Sequence, residues 1–379
     1  MVASSVKDRA RTDLARLAAA RLDNDGFRWE AASILRRVIG TDGWYWLLVD
    51  PDAGLPTRHL GDNAIVGQSI REFCLRHPDL AAFPWGLPTR PVSVTSAVTG
   101  GDLARDQAWR ETFGPAGMGD QIRAPLIADG LCWAELHLHR DSDGGFFSAD
   151  DAEVVAAMAP ILAARLRDGL CARAAHGEVD FVAGVSADDD AGPAGPTEPG
   201  TIILDEELAV VAATPAAWTW IDRLGLVMPG GVEPLPASVY AAATRVALSR
   251  ARAEAQTKAH SQEAESPAAA RIRLQAADGQ WTVVRAAPLI GAGGGYAITL
   301  EAARSQDLAP LLMRALSFTA REREVARLVI DGLSSEDIAR ALFISVYTVR
   351  DHVKALLGKA GVSRRHDLIA VLSGDAHSR

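Results

Sequence analysis

The sequence predicts a multidomain α+β chain: two blocks mixing helices with antiparallel hairpins, then an all-α block of four short helices. Three observations predict this. Apolar residues recur at helical spacing in some segments and alternate in others, with Asp-Gly turns between the alternating runs. A stretch of Gly, Pro, Ala and acid from Gly184 to Gly200 breaks the chain in the middle. The residues after Ser317 carry start and stop signals for four helices at short intervals. The 379 residues suit two to three domains at roughly 100–200 residues each.

Composition narrows the class. Hydrophobic residues are 48% and charged residues 23% of the chain, the balance of a folded soluble protein. No apolar run is long enough to span a bilayer, so no membrane partner is expected. The opening segment MVASSVKDRARTDLARLAAARLD alternates charges with Leu and Ala, which predicts an amphipathic helix rather than a signal peptide. Cys74, Cys132 and Cys171 are odd in number and unpaired in spacing, against a disulfide framework or a zinc site. A reducing, cytoplasmic setting is the expectation. The net charge of −9 is unevenly placed. Ser317–Arg379 holds ten Lys and Arg against eight Asp and Glu, a net of +2, and the remainder carries −11. Attraction to a polyanion depends on the docking face, not on the whole chain.

Residues 1–183 form the first block. Helical spacing covers Val6–Leu22 and Trp29–Ile39; a strand at Trp44–Val49 ends in the turn Asp50-Pro51-Asp52-Ala53-Gly54. Gln121–Ala128 and Leu131–Arg140 read as a hairpin turning at Asp129-Gly130. Ser148 is placed to cap a long helix with Asp150, Asp151 and Glu153 in its first turn and Val154, Val155, Met158, Ile161, Leu162 and Leu166 as its apolar stripe. This order, with the segments GDQIRAPLIADGLCWAELHLHRD and GFFSADDAEVVAAMAPILAARL, resembles a GAF sensor domain over about residues 25–170. The resemblance implies an antiparallel sheet flanked by helices.

After the linker at 184–200, residues 201–302 give strand, turn, strand and helix in TIILDEELAVVAATPAAWTWIDRLG, then hairpins in ARIRLQAADGQWTVVRAAPLIGAGGGYAITLEA. Turns fall at Asp278-Gly279 and at Gly291–Gly295. The block resembles a PAS module of α+β type. Its polar, Ala-rich stretch from about Arg250 to Ala270 reads either as a solvated helix or as a loop. Residues 303–316 read as a connector.

Residues 317–379 form the last block. Thr319 and Glu322 make a capping box for a first helix whose buried stripe is Val325, Leu328 and Val329, and Gly332 ends it. Ser334 caps a second helix with Ile338, Ala339 and Leu342 inward; Phe343-Ile344 is a tight connection. Ser345 caps a third helix that ends at Gly361, and a fourth runs from about Arg364 to Leu372. On the third helix Val349, Val353, Leu356, Leu357 and Ala360 share one face. Tyr347, Arg350, Asp351 and Lys354 share the other, at i, i+3, i+4 and i+7. Arg, Lys and Tyr on an exposed helix face suit phosphates and base edges.

The segments TAREREV, GLSSEDIA, ISVYTVRDHV and GKAGVSRR identify this block as similar to the LuxR-type (LuxR/GerE) helix-turn-helix of transcriptional regulators, and the whole arrangement resembles actinobacterial regulators of that type. The resemblance implies that Arg350, Asp351 and Lys354 face bases or phosphates, that Thr348 lies near a phosphate, and that the fourth helix dimerises. Asp351 departs from the apolar or basic residue usual there. It either accepts from cytosine N4 or orients Arg350 or Lys354. Arg321, Arg323 and Arg327 read as a solvated face; Arg364 and Arg365 as phosphate contacts or as caps.

The function expected is sequence-specific binding of a double-stranded operator by a homodimer, controlled by a small-molecule effector in the first block. RNA polymerase is a further candidate partner. The alternative is a DNA-bound scaffold in which the PAS-like block recruits a protein. Residues of the return strand alternate, with Trp133, Glu135, His137 and His139 on one face. Trp46, Trp85, Trp133, Glu135 and His137 are the candidate effector-binding residues, or else ordinary core and solvated strand. No acid cluster with a distant Lys supports phosphorelay control, and no GxxxxGK[ST] motif supports nucleotide binding. His137-x-His139 lacks further ligands for a metal. No cofactor and no catalytic residue is expected.

Overall fold

A computed structural model describes residues 2–20, 22–61, 69–81, 92–176, 198–226, 233–260, 269–276, 279–291 and 294–373. Their described parts divide into two compact units: 1–166 with 191–274 and 283–301, and 167–190 with 275–282 and 302–379.

In the first unit, α1 (Val2–Ala18) is followed by α2 (Asn24–Ile39). The Asp23 carboxylate accepts the Gly26 N–H at the start of α2, and Gly40, at φ 69°, ends the helix. Then come β1 (Gly43–Asp50), β2 (Leu55–Gly61), α3 (Ile70–Arg76), α4 (Pro78–Ala81), β3 (Ser93–Val94) and α5 (Thr95–Thr99). A 3₁₀ turn at Leu103–Arg105 and a π-helical turn at Trp109–Phe113 lead to β4 (Met118–Ala128), β5 (Leu131–Asp141) and α6 (Ala149–His176). The strands form an antiparallel sheet in the order β2-β1-β5-β4-β3. The β4–β5 turn falls at Asp129 and Gly130, both at positive φ (51° and 74°), as the Asp-Gly pair predicts. Ser148 accepts the Asp151 N–H and Asp151 accepts the Ser148 N–H, a reciprocal cap on α6.

Alternation decides which face is packed. Ala134, Leu136 and Leu138 point to one side of β5 and share a core with Leu14 of α1, Phe27 and Leu35 of α2, and Val155, Met158 and Leu162 of α6. The α6 stripe is thus spent on its own sheet.

The second sheet repeats the order of the first. After β6 (Gly200–Leu204) and β7 (Val210–Ala213) come α7 (Pro215–Leu224), α8 (Ala237–His260), β8 (Ala270–Gln275), β9 (Trp281–Pro288) and β10 (Tyr296–Ala302). Their order is β7-β6-β10-β9-β8, again second, first, fifth, fourth, third. No sequence repeat announces this. The Ala-rich stretch is helical as far as His260; residues 261–268, and most of the 184–200 linker, lie outside the described residues.

Within the first unit, α8 packs on β2, α3 and α4. A buried ion cluster adds to that contact. The Arg273 guanidinium, on β8, donates to both carboxylate oxygens of Asp50 and to Asp52 at 2.7 Å, and the Arg273 N–H donates to Asp50 at 3.0 Å. Asp50 and Arg273 are both almost fully buried.

The second unit holds the last five helices: α9 (Ser305–Ala315), α10 (Ala320–Ile330), α11 (Ser335–Leu342), α12 (Val346–Ala360) and α13 (Arg365–Ser373). The segment read as a connector contains α9, whose Leu311 and Leu312 are buried and which packs on α13. Among the described residues no helix is long and apolar enough to cross a membrane.

Candidate nucleic-acid interface and candidate effector site

Caps and cross-ties hold α10, α11 and α12. Thr319 accepts the Glu322 N–H at 3.2 Å while Glu322 accepts the Thr319 N–H at 2.7 Å, the capping box read from sequence. Glu322 is buried and also accepts from Lys359 of α12 at 2.6 Å, and Lys359 donates to the Ser317 carbonyl. Burial alone would raise the Glu322 carboxyl, but the Lys359 ammonium and the Thr319 N–H outweigh it and hold it below the usual carboxylate range. Ser334 and Ser345 cap α11 and α12 through the Asp337 and Thr348 N–H groups.

Two arginines expected on a solvated face are instead ties. Arg321 donates to the Leu342 carbonyl at 2.9 Å and pairs with Glu324, and Arg323 donates to the Phe318 carbonyl at 2.6 Å. The Leu342 carbonyl is one that the end of α11 leaves open. Arg327 is exposed, as expected. Arg365 donates to the Leu333 carbonyl, the capping alternative, whereas Arg364 is exposed.

On α12, Val349, Leu356 and Ala360 are buried, with Val353 and Leu357 half-buried. Tyr347, Arg350, Asp351 and Lys354 are all exposed along the opposite face. Arg350 stands 3.8 Å from Glu336 of α11, an exposed and weak pair. Asp351 makes no hydrogen bond or ion pair among the described residues, so neither Arg350 nor Lys354 is oriented by it. The Thr348 hydroxyl lies 2.8 Å from Ser345 Oγ, within the N-cap. The fourth helix, α13, buries Leu368 and Leu372 and packs on α9 and α12.

The proposed effector residues separate. Trp46 pairs in register with Leu136 and belongs to the helix-packed core, so it lies on the face opposite Glu135 and His137. This corrects its placement in the effector set: alternation within β5 is readable, but which β1 residues share its faces depends on the inter-strand register. Trp85 lies outside the described residues. Trp133 is buried and donates its indole N–H to the Ala128 carbonyl at the hairpin end.

Glu135 and His137 do meet. His137 Nε2 is 3.1 Å from Glu135 Oε2, and the His137 ring stacks on Tyr45 at 4.1 Å. Tyr45, opposite His137 in register, is the residue that sequence reasoning missed. Arg123 of β4 lies opposite His137 on the other side, and the Gln121 amide donates to the Tyr45 hydroxyl at 3.4 Å. Burial raises Glu135 to about 8, partly offset by Arg123. Burial, with Arg123, His59 and His139, holds His137 well below its usual value. Near neutral pH both are therefore mostly uncharged. Glu135 then donates to Nε2, and Nδ1 carries a hydrogen with no partner among the described residues. A pocket lined by Gln121, Arg123, Thr95, Trp109 and Met118 has room for about one water molecule.

Comparison with known proteins locates the family likeness. The family model for bacterial regulatory proteins, luxR family, matches residues 316–372. The HTH-type transcriptional regulator Mb0914c of Mycobacterium bovis is 45% identical over 53 residues, 14% of this chain and 6% of that protein. The spore germination protein GerE of Bacillus subtilis is 41% identical over 54 residues, 14% of this chain and 73% of GerE. The chain thus matches a small fraction of the length of the mycobacterial relatives and most of GerE. A Vibrio cholerae VqmA–ligand–DNA complex covers 47% of this chain and 82% of its own, at 18% identity and a TM-score of 0.21, too low to assign the fold of either sheet. Through its four C-terminal helices, the chain belongs to the luxR family of bacterial regulatory proteins.

Proposed function

We propose that the protein is a cytoplasmic, homodimeric transcriptional regulator that reads double-stranded DNA with α12. The carrying observation is the division of that helix: one face locked into a capped, cross-tied unit, the other presenting Tyr347, Arg350, Asp351 and Lys354 to solvent. Thr348 completes the set as a phosphate neighbour. Arg350 and Lys354 supply the cations; Asp351, held by no cation among the described residues, is available to accept from cytosine N4. Selection of duplexes from a random pool by the full chain tests this. Arg350→Ala is expected to weaken the selected duplex by about tenfold or more and to relax preference at one position. Equal binding by the variant would remove α12 as the reader.

The two α+β blocks serve, in this reading, as GAF-like and PAS-like sensor modules of an actinobacterial-type regulator. Helices on one face of the first sheet and a polar, buried cluster on the other support it. The effector belongs with Glu135, His137, Tyr45 and Trp133, where His137 Nδ1, without a partner among the described residues, suits a ligand offering a hydrogen-bond acceptor. Tryptophan fluorescence titrated with a metabolite library should respond in wild type and not in His137→Phe.

A further inference from the structure

We infer that Phe343 is a DNA-contacting residue, an apolar anchor at the entry to the reading helix that touches deoxyribose or a thymine 5-methyl group. The inference rests on α12 being the reader.

Four helices of the second unit end in the same cap, in which the residue after a left-handed position donates its N–H to the carbonyl five residues back. The left-handed position of that cap is Ser317 (φ 52°) after α9, Gly332 (φ 82°) after α10, Phe343 (φ 54°) after α11 and Gly361 (φ 67°) after α12. Phe343 is the bulkiest of the four. Its Cβ makes left-handed backbone unfavourable by on the order of tenfold in the folding equilibrium. A large side chain kept at such a position is usually compensated by packing. Phe343 is 94% exposed and packs on almost nothing. Strain and exposed apolar surface at one residue point to a contact outside the chain.

Its surroundings name the occupant. Among the described residues of the second unit, the large apolar side chains that are exposed are Phe343 and Tyr347, four residues apart at the start of α12. Arg340, with 79% of its side chain exposed, and Arg350, with 69%, lie on either side in sequence. Rings flanked by cations suit a polyanion that also offers apolar sugar and methyl surface, which is duplex DNA.

The test uses the full chain and the duplex it selects from a random pool. Phe343→Gly and Phe343→Asn both tolerate left-handed backbone. Each should keep or raise the thermal midpoint while weakening the duplex roughly tenfold, with the slope of affinity against salt unchanged because no phosphate contact is lost. Replacing thymine by deoxyuridine distinguishes the two sources. Sensitivity at one position in wild type, absent in Phe343→Gly, marks the methyl group; equal insensitivity in both, with the tenfold loss retained, marks the sugar. Binding by both variants within twofold of wild type overturns the inference and leaves the reader intact, and so points the ring at a protein partner. Loss of thermal stability in both variants makes the ring structural and overturns it too. Failure of the wild-type chain to select any duplex overturns the reader and this inference together.

Discussion

Glu322 shows how a single residue combines three tasks: it closes the α10 cap, anchors Lys359 and remains charged while buried. Removing its partner should be costly. Lys359→Met is expected to destabilise the second unit by about 2 kcal/mol at neutral pH, the value of a hydrogen bond to a charged group. The native carboxyl is held low, so its contribution is present above the unfolded value near 4.5 and fades as pH falls through the native one. The midpoint difference between variant and wild type should therefore shrink toward pH 3. Glu135 has the opposite sign. Its native value of about 8 exceeds the unfolded one, so the folded protein loses stability as pH rises between roughly 4.5 and 8. Glu135→Gln should flatten that decline in denaturant titrations from pH 5 to 8; an unchanged slope would place the loss elsewhere. Caps such as Thr319, Ser334 and Ser345 are legible in the sequence because each acts within three residues. The face of Trp46 is not, because it is set by pairing with a strand distant in sequence.

Elements differ in legibility for a similar reason. The β4–β5 hairpin, the start of α6 and the helices α10 to α13 fall within a few residues of where periodicity and turn chemistry place them, whereas α6 runs on to His176, past the stripe that ends at Leu166. The helix α9 lies in the segment read as a connector and carries Pro310 inside it, a residue that disfavours a helix interior. The tie between the β1–β2 turn and β8 is equally invisible: Asp50 and Asp52 look like ordinary turn acids, and their partner Arg273 lies in another block. That tie yields a prediction. Arg273→Met strands Asp50 in a buried site and should cost about 3 kcal/mol or more. The double variant Arg273→Met with Asp50→Leu should recover part of it. Calorimetry of wild type, both single variants and the double variant measures the coupling; additive losses would mean the ion pair is not what joins these elements.

At the scale of the molecule, family likeness and described fold cover different ground. Residues 316–372 carry the luxR-family match, whereas the two five-stranded sheets make up most of the first unit. The reader is legible because its helices are short, locally capped and rich in family residues. The sheets are assembled from strands far apart in sequence, so their common order emerges only in three dimensions. An acidic body with a locally positive reader should make DNA affinity strongly dependent on salt, with a slope set by the few phosphates that α12 and its flanks reach. The most direct measurement is the affinity of the full chain for its selected duplex, compared with Arg350→Ala by fluorescence anisotropy at fixed salt. A single enriched sequence family, bound about tenfold or more weakly by the variant, is the predicted result. No enrichment by folded wild-type protein, or equal affinities for wild type and variant, would contradict DNA reading by α12.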